Sequence, residues 1–302
     1  GKLIFDVHKM VFLRIINLLG ELKSMQGLLR RGVTAIIFVV VMIAGLFGGP
    51  YSFVLLFALI TGLCLWEYLS IVLARDSRHD RVRKVIGMIM GLLPVVVSAL
   101  AKLGFVGDPQ SFVLLTALLF SPFIFLTFVY EMFTKSEHPF ENIAFMMLGI
   151  IYIGVPFALL DFVAFNGEYF YANTVFGILV LTWMNDTGAY LVGSRWGKTP
   201  LLPRVSPKKT WEGSVGGVVV TFLTAFVLYL TVNELELFDW LILALIVSIF
   251  ASLGDLVESM LKRSFSMKDS GSLLPGHGGL LDRFDGFIFC LPFVAAYLLW
   301  IR

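Results

Sequence analysis

The strongest constraint on this chain is a repeated one. Nine apolar segments, at 33–49, 51–74, 85–101, 111–130, 141–160, 172–193, 213–232, 237–257 and 284–301, follow one another with short polar breaks between them. Each is near the ~20 residues that a helix needs to cross the hydrocarbon core of a bilayer. The predicted fold class is all-α: a polytopic integral membrane protein of about nine transmembrane helices, with little room for sheet. A chain that is 58% hydrophobic, with mean hydropathy +0.90, does not fit a soluble domain. Its 15% of aromatic residues suits spans with interfacial belts. Only Gly48-Gly49-Pro50 separates the first two segments, a turn signal for antiparallel spans. Cys64 and Cys290 both fall inside apolar runs, so neither a disulfide framework nor a cysteine metal site is expected.

Charge orients the spans. With the N-terminus on the cytoplasmic side, 21 of the 23 Lys and Arg residues fall in cytoplasmic segments, at 1–32, 75–84, 131–140, 194–212 and 258–283. Only Lys102 and Arg302 fall outside, and the outer loops carry Asp108, Asp161, Glu168, Glu234 and Glu236 instead. Lys and Arg in short loops set orientation, so a cytoplasmic N-terminus is expected. Residues 1–32 are amphipathic and basic and lack the compact uncharged core and cleavage site of a secretory leader. They read as an interfacial helix or arm. The basic loop 75–84 reads as a contact with anionic membrane lipids. A net charge of +2 gives no ground for nucleic acid as a partner.

The polar residues of the last third are concentrated rather than scattered. Between two apolar runs the chain carries Asp255, Glu258, Lys262, Arg263, Lys268, Asp269, His277, Asp282, Arg283 and Asp285. Ionisable groups at a membrane boundary are costly to desolvate and mark a functional site by default. Asp255, Glu258, Ser259 and Lys262 have the spacing of one helix face, and Asp282 and Asp285 share another. Two or three convergent carboxylates are hard oxygen ligands suited to Mg²⁺. Lys262, Arg263, Lys268 and Arg283 are donors for phosphate oxygens. Pro275-Gly276-His277-Gly278-Gly279 lets backbone approach a ligand closely.

A second polar group precedes it. Asn185-Asp186-Thr187-Gly188-Ala189-Tyr190 lies in the sixth segment, and Ser206-Pro207-Lys208-Lys209-Thr210-Trp211-Glu212-Gly213 opens the seventh. Ser206, Lys208, Lys209 and Thr210 stand before a helix N-terminus, where anions are favoured. Asp186 inside a span needs a partner or a wet cavity. Gly213, Gly216 and Gly217 fit close helix packing.

The runs Ser259-Met260-Leu261-Lys262-Arg263, Lys268-Asp269 and His277-Gly278-Gly279-Leu280-Leu281-Asp282-Arg283-Phe284-Asp285 together resemble the signature of the CDP-diacylglycerol synthases, or phosphatidate cytidylyltransferases. The segments around Asp186 and Ser206–Gly213 are similar to that family as well. Specific motifs therefore cover about 175–302, while over 33–170 only hydropathy and Trp66-Glu67 carry the likeness. The resemblance implies transfer of the cytidylyl group of CTP to phosphatidate, giving CDP-diacylglycerol and pyrophosphate for phospholipid biosynthesis. It implies catalytic roles for Asp255, Lys262, Arg263, Lys268, Asp282 and Asp285. Substrate contacts are expected at Asp186, Ser206, Lys208, Lys209, Thr210, Ser259, Asp269, His277 and Arg283. Mg²⁺ on Asp255, Asp282 and Asp285, a monovalent cation such as K⁺ beside it, and a homodimer also follow from the resemblance. The expected division is an interfacial segment (1–32), a transmembrane scaffold (33–170) and a catalytic transmembrane region (171–302). The active site is expected to face the cytoplasm, from a bacterial inner membrane or an internal membrane of a eukaryote.

A phosphate monoester has its second pKa near about 6 and is already ionised at neutral pH, so His277 is expected to bind phosphate or fix the turn rather than act as a base. Two other readings remain. A CTP-dependent polyprenol kinase of the dolichol-kinase type would release CDP rather than pyrophosphate. An ion-coupled transporter would use Asp186, Asp255 and Glu67 as an intramembrane path, yet the charged groups crowd into two loops of the C-terminal half rather than into two repeated halves.

Overall fold

The computed structural model of the chain describes residues 32–73, 78–167, 169–267, 270–271, 273 and 278–301. The expected interfacial arm up to residue 31, and the expected site residues Lys268, Asp269 and His277, lie outside the described residues. Each apolar segment of the sequence is helical. The helices are α1 (Gly32–Phe47), α2 (Pro50–Val72), α3 (Asp80–Lys102), α4 (Pro109–Thr134), α5 (Pro139–Gly149), α6 (Val155–Ala164), α7 (Ala172–Trp196), α8 (Trp211–Thr231), α9 (Leu237–Ser264) and α10 (Leu281–Ile301). A π-helical turn, Ile150–Gly154, joins α5 and α6 into one span. Among the described residues eight spans, of 21 to 28 residues, are long and apolar enough to cross a membrane, and α1 is a shorter apolar helix. The protein is an all-α, multi-pass membrane protein.

Local chemistry sets the breaks. Gly49 turns the chain between α1 and α2 at φ 113°, a value open to glycine, and the Ser52 hydroxyl closes the turn by donating to the Gly49 carbonyl at 2.8 Å. The π turn precedes Pro156, which has no N–H to give and whose ring crowds the carbonyl four residues back, so the helix opens by one residue there. Two antiparallel ribbons stand outside the helices: β1 (Phe165–Asn166) with β2 (Tyr169–Phe170), and β3 (Pro200–Leu202) with β4 (Ser206–Thr210). Ser206–Thr210, expected only to precede a helix N-terminus, forms a strand.

Close helix approach organises the C-terminal half. A Cβ on Gly216 would collide with Val192, one on Gly188 would stand 2.8 Å from Val220, and one on Gly213 would stand 2.8 Å from the Ala189 carbonyl. These small residues let α7 and α8 pack backbone to backbone, the arrangement expected where lipid supplies no hydrophobic drive between helices. α9 meets α10 in the same manner: a Cβ on Gly254 would stand 2.7 Å from the Asp285 carbonyl, and one on Gly286 would stand 3.0 Å from the Ala251 carbonyl. That crossing sets Asp255 beside Asp285. Phe57 of α2, Phe157 of α6 and Phe284 and Phe287 of α10 form a ring cluster with centroids 6.0 to 6.4 Å apart, joining the two halves of the chain.

Two residues depart from the loop roles read in the sequence. Asp161 lies within α6, fully buried, and accepts a hydrogen bond from the Ser98 hydroxyl at 2.5 Å. Arg83 is not at the lipid surface. It is 1% exposed in α3 and grips Glu131 of α4 through Nε at 2.6 Å and Nη2 at 2.9 Å, with Thr134 at 3.2 Å. A paired fork of this kind satisfies both charges inside the bundle. Breaking a buried pair strands one charge and costs about 3–5 kcal/mol, whereas replacing both partners by apolar residues is close to neutral. Arg83→Met is therefore expected to lower the thermal unfolding midpoint in detergent sharply, and Arg83→Met/Glu131→Met to recover most of the loss.

Candidate active site

The site grows from the facing ends of α9 and α10. Asp255 and Glu258, one turn apart on α9, and Asp285 of α10 bring a carboxylate oxygen each within 4.8 Å of one another. Glu258 is 1% exposed and Asp285 7%, while Asp255 is half-buried. Like charges this close repel strongly where water is excluded. Glu258 Oε1 is buried with no hydrogen-bond partner among the described residues, and a buried polar atom of that kind calls for one. Three hard oxygen donors around an unpartnered carboxylate oxygen fit a divalent cation such as Mg²⁺.

Two lysines border the carboxylates. Lys262, one turn beyond Glu258, donates to Glu258 Oε2 at 2.5 Å and to Asp282 Oδ1 at 2.6 Å. Lys209 reaches Asp255 Oδ2 at 2.5 Å and the Ser252 carbonyl at 3.4 Å. On β4 Lys208 is exposed and Lys209 is half-buried. Glu212 fixes that ribbon by accepting the N–H groups of Lys198 and Thr199, both at 3.1 Å. Asp186 is exposed on α7 and lies within electrostatic reach of Asp255, Lys209 and Arg283. The Ser259 hydroxyl donates to Asp255 Oδ1 at 3.3 Å and orients it.

Other expected site residues have different neighbours. Asp282 adjoins the carboxylate group, sharing Lys262 with Glu258. Its Oδ2 accepts the Gly279 N–H at 2.9 Å and the Ser270 N–H at 3.1 Å, while Oδ1 meets Lys262. α10 starts at Leu281, so Asp282 stands at the helix start beside the N–H groups of the preceding loop, and Asp285 one turn later faces α9. Thr210 caps α8 by accepting the Gly213 N–H at 3.2 Å. Arg263 is exposed and donates to the Met267 carbonyl at 3.4 Å, closing the turn after α9. Ser206 is half-buried on β4, one end of the strand that carries Lys209.

The half read as scaffold also reaches the site. Glu67 of α2, 3% exposed, accepts the Leu281 N–H at 2.8 Å. The hydroxyl of Tyr152, in the π turn, is buried and lies within electrostatic reach of Asp285 and Glu258. An acidic residue inside an apolar span was a visible signal for Glu67. Tyr152 had none, because a π turn displaces its side chain from the face that ordinary helical spacing assigns.

A bundle of spans that gathers carboxylates and lysines beside a glycine-rich loop and a helix start defines a class: a membrane protein built to hold polyanionic phosphate groups. Residues 29–301 match the cytidylyltransferase family, and the chain belongs to it. It is 36% identical over 272 residues to the phosphatidate cytidylyltransferase of Staphylococcus saprophyticus, covering 90% of this chain and 99% of that protein. The phosphatidate cytidylyltransferase of Staphylococcus haemolyticus is 34% identical over 276 residues, 89% of this chain and 98% of its own length. That of Bacillus subtilis is 40% identical over 172 residues, 57% of this chain and 64% of its own length.

Glu258 and Asp282 differ in their hydrogen-bond partners, and substitution distinguishes their roles. Glu258→Gln is expected to weaken Mn²⁺ binding to the purified protein, followed by electron paramagnetic resonance, by about tenfold or more, the loss that even outer-shell partners cause. Asp282→Asn is expected to weaken it less. A larger loss in Asp282→Asn would place Asp282 among the direct ligands.

Proposed function

We propose that this protein transfers the cytidylyl group of CTP to phosphatidate, producing CDP-diacylglycerol and pyrophosphate. The observation that carries the reading is the convergence of Asp255, Glu258 and Asp285 with Lys209 and Lys262, in a chain of the cytidylyltransferase family whose relatives are named for phosphatidate.

The lipid phosphate is the nucleophile. One of its oxygens forms a bond to the α-phosphorus of CTP as the bond from that phosphorus to the bridging oxygen breaks, and pyrophosphate leaves with the electron pair. The monoester is already ionised, its second pKa being near about 6, so no strong base is needed. The demand is instead to hold two mutually repelling anions in line. Asp255, Glu258 and Asp285 are the residues to hold Mg²⁺, which when bound neutralises phosphate charge and stabilises the leaving pyrophosphate. Lys209 and Lys262 are free to exchange a carboxylate partner for a phosphate oxygen, since each already ends among oxygens. Asp186 and Arg283 flank the same space. A monovalent cation such as K⁺ is the second charge this reading includes.

The site is proposed to face the cytosol, where CTP is found, because 21 of the 23 Lys and Arg residues fall in segments on that side. A homodimer is part of the same proposal. α4, with 6% of its apolar window buried, leaves a broad apolar face for lipid or a second copy.

Labelled CTP tests the reaction. Purified protein with Mg²⁺ and phosphatidate should move an α-phosphate label from CTP into the lipid and a γ-phosphate label into pyrophosphate. A γ-label appearing in the lipid, with CDP released, would make the protein a kinase instead.

A further inference from the structure

Glu67 stands in α2, within the half of the chain that carries no signature motif, yet its partners are the loop and helix start 203 and 214 residues further on. Oε2 accepts the Leu281 N–H at 2.8 Å and the Ser270 hydroxyl at 3.3 Å. Leu281 opens α10, so Glu67 satisfies one of the free N–H groups at that helix start. The fit around the carboxylate is tight. A Cβ on Gly279 would stand 2.6 Å from Oε2, and one on Gly271 would collide with Oε1. The helix that presents Glu67 is itself firmly held. Leu65, Tyr68 and Leu69 are fully buried, and the Tyr68 hydroxyl donates to the Phe145 carbonyl at 3.1 Å.

A continuous run of polar contacts leads from Glu67 to the carboxylate group. Glu67 holds the Ser270 hydroxyl, and the Ser270 N–H donates to Asp282 Oδ2 at 3.1 Å. Asp282 holds Lys262 at 2.6 Å, and Lys262 holds Glu258 at 2.5 Å. We propose that Glu67 is a positioning residue of the active site: it fastens Ser270 and the first turn of α10 to α2, and through Asp282 and Lys262 it sets the place of Glu258. Two carboxylates thus clamp Ser270, Asp282 through its N–H and Glu67, from the other half of the protein, through its hydroxyl. Gly271 and Gly279 follow from the clamp, since only hydrogen leaves room for Glu67. The role rests on the reading of Asp255, Glu258 and Asp285 as the centre of cytidylyl transfer, but the clamp itself is a matter of structure and has its own readout.

Four full-length variants in detergent test it: Glu67→Ala, Glu67→Gln, Gly271→Ala and the double variant Glu67→Ala/Gly271→Ala. Glu67→Ala is expected to lower kcat about tenfold or more, as displacement of aligned groups by about an ångström does, with KM for CTP and phosphatidate within about twofold of wild type. Glu67→Gln keeps an acceptor oxygen and should lose less. Gly271→Ala pushes the carboxylate aside and should resemble Glu67→Ala, while the double variant should be no worse than either single one, because both remove the same contact. Hydrogen exchange of peptides covering 278–281 should speed up in Glu67→Ala and Gly271→Ala, with peptides of α7 and α8 unchanged.

Wild-type kcat and unchanged exchange at 278–281 in the Glu67 variants would overturn the proposal. So would a loss of activity that matches the loss of folded protein, or additive effects of Glu67→Ala and Gly271→Ala, since either outcome belongs to plain packing. Should Glu67→Ala fail to fold, Glu67→Gln and Gly271→Ala decide through kcat and exchange. A wild-type protein without cytidylyl transfer would instead sink the proposed reaction, while the exchange measurement would still read the clamp.

Discussion

Like charge crowded into low dielectric is the constraint on which the rest of this structure depends. Asp255, Glu258 and Asp285 stand within 4.8 Å of one another at the meeting of two membrane spans. Burying charge is tolerable only when it is paired and hydrogen-bonded. The lysines Lys209 and Lys262 and the ring of N–H donors around Asp282 are the protein's share of that compensation. A substrate bearing several phosphates brings more negative charge to the same place. The cation proposed among the carboxylates would be the physical link between a site that concentrates acids and a reaction between two anions.

Helix packing makes the arrangement possible. Lipid offers no hydrophobic reward for bringing helices together, so α7, α8, α9 and α10 approach through glycines that let backbones touch. Gly254 and Gly286 fix the height at which Asp255 meets Asp285. The phenylalanine cluster then carries the register of α10 to α2 and α6. Glu67 of α2 reaches Ser270 and Leu281, so the N-terminal half contacts the start of α10 beside the candidate site. The opposite ends of α7, α9 and α10 are tied separately, by Glu234 on the Thr174 N–H at 2.7 Å and Tyr297 on Asp239 at 2.7 Å.

Much of this was legible in the sequence because hydrophobicity and spacing are local properties. The spans appeared as apolar runs of bilayer length, and the shared face of Asp255, Glu258, Ser259 and Lys262 followed from helical period alone. The packing roles of Gly213, Gly216 and Gly217 were legible for the same reason. What escaped depends on contacts distant in sequence or on departures from regular geometry. Asp282 and Asp285 looked equivalent three residues apart, but the position of the α10 start turned one toward loop N–H groups and the other toward α9. Glu258 showed its acidity but not its neighbours. Arg83 looked like one more basic loop residue, and only the partner Glu131, 48 residues on, takes it inside. The strand at Ser206–Thr210 is too short and too polar to show an alternating apolar pattern.

Anomalous diffraction from crystals soaked in Mn²⁺ bears most directly on whether acids at this meeting of spans exist to hold a cation. A peak is expected between the side chains of Asp255, Glu258 and Asp285, at metal–oxygen distances near the ~2.1 Å typical of small hard divalent ions. Mn²⁺ found only on exposed loops, with the three carboxylates bonded to lysines and protein N–H groups alone, would show that the cluster serves the fold rather than the reaction.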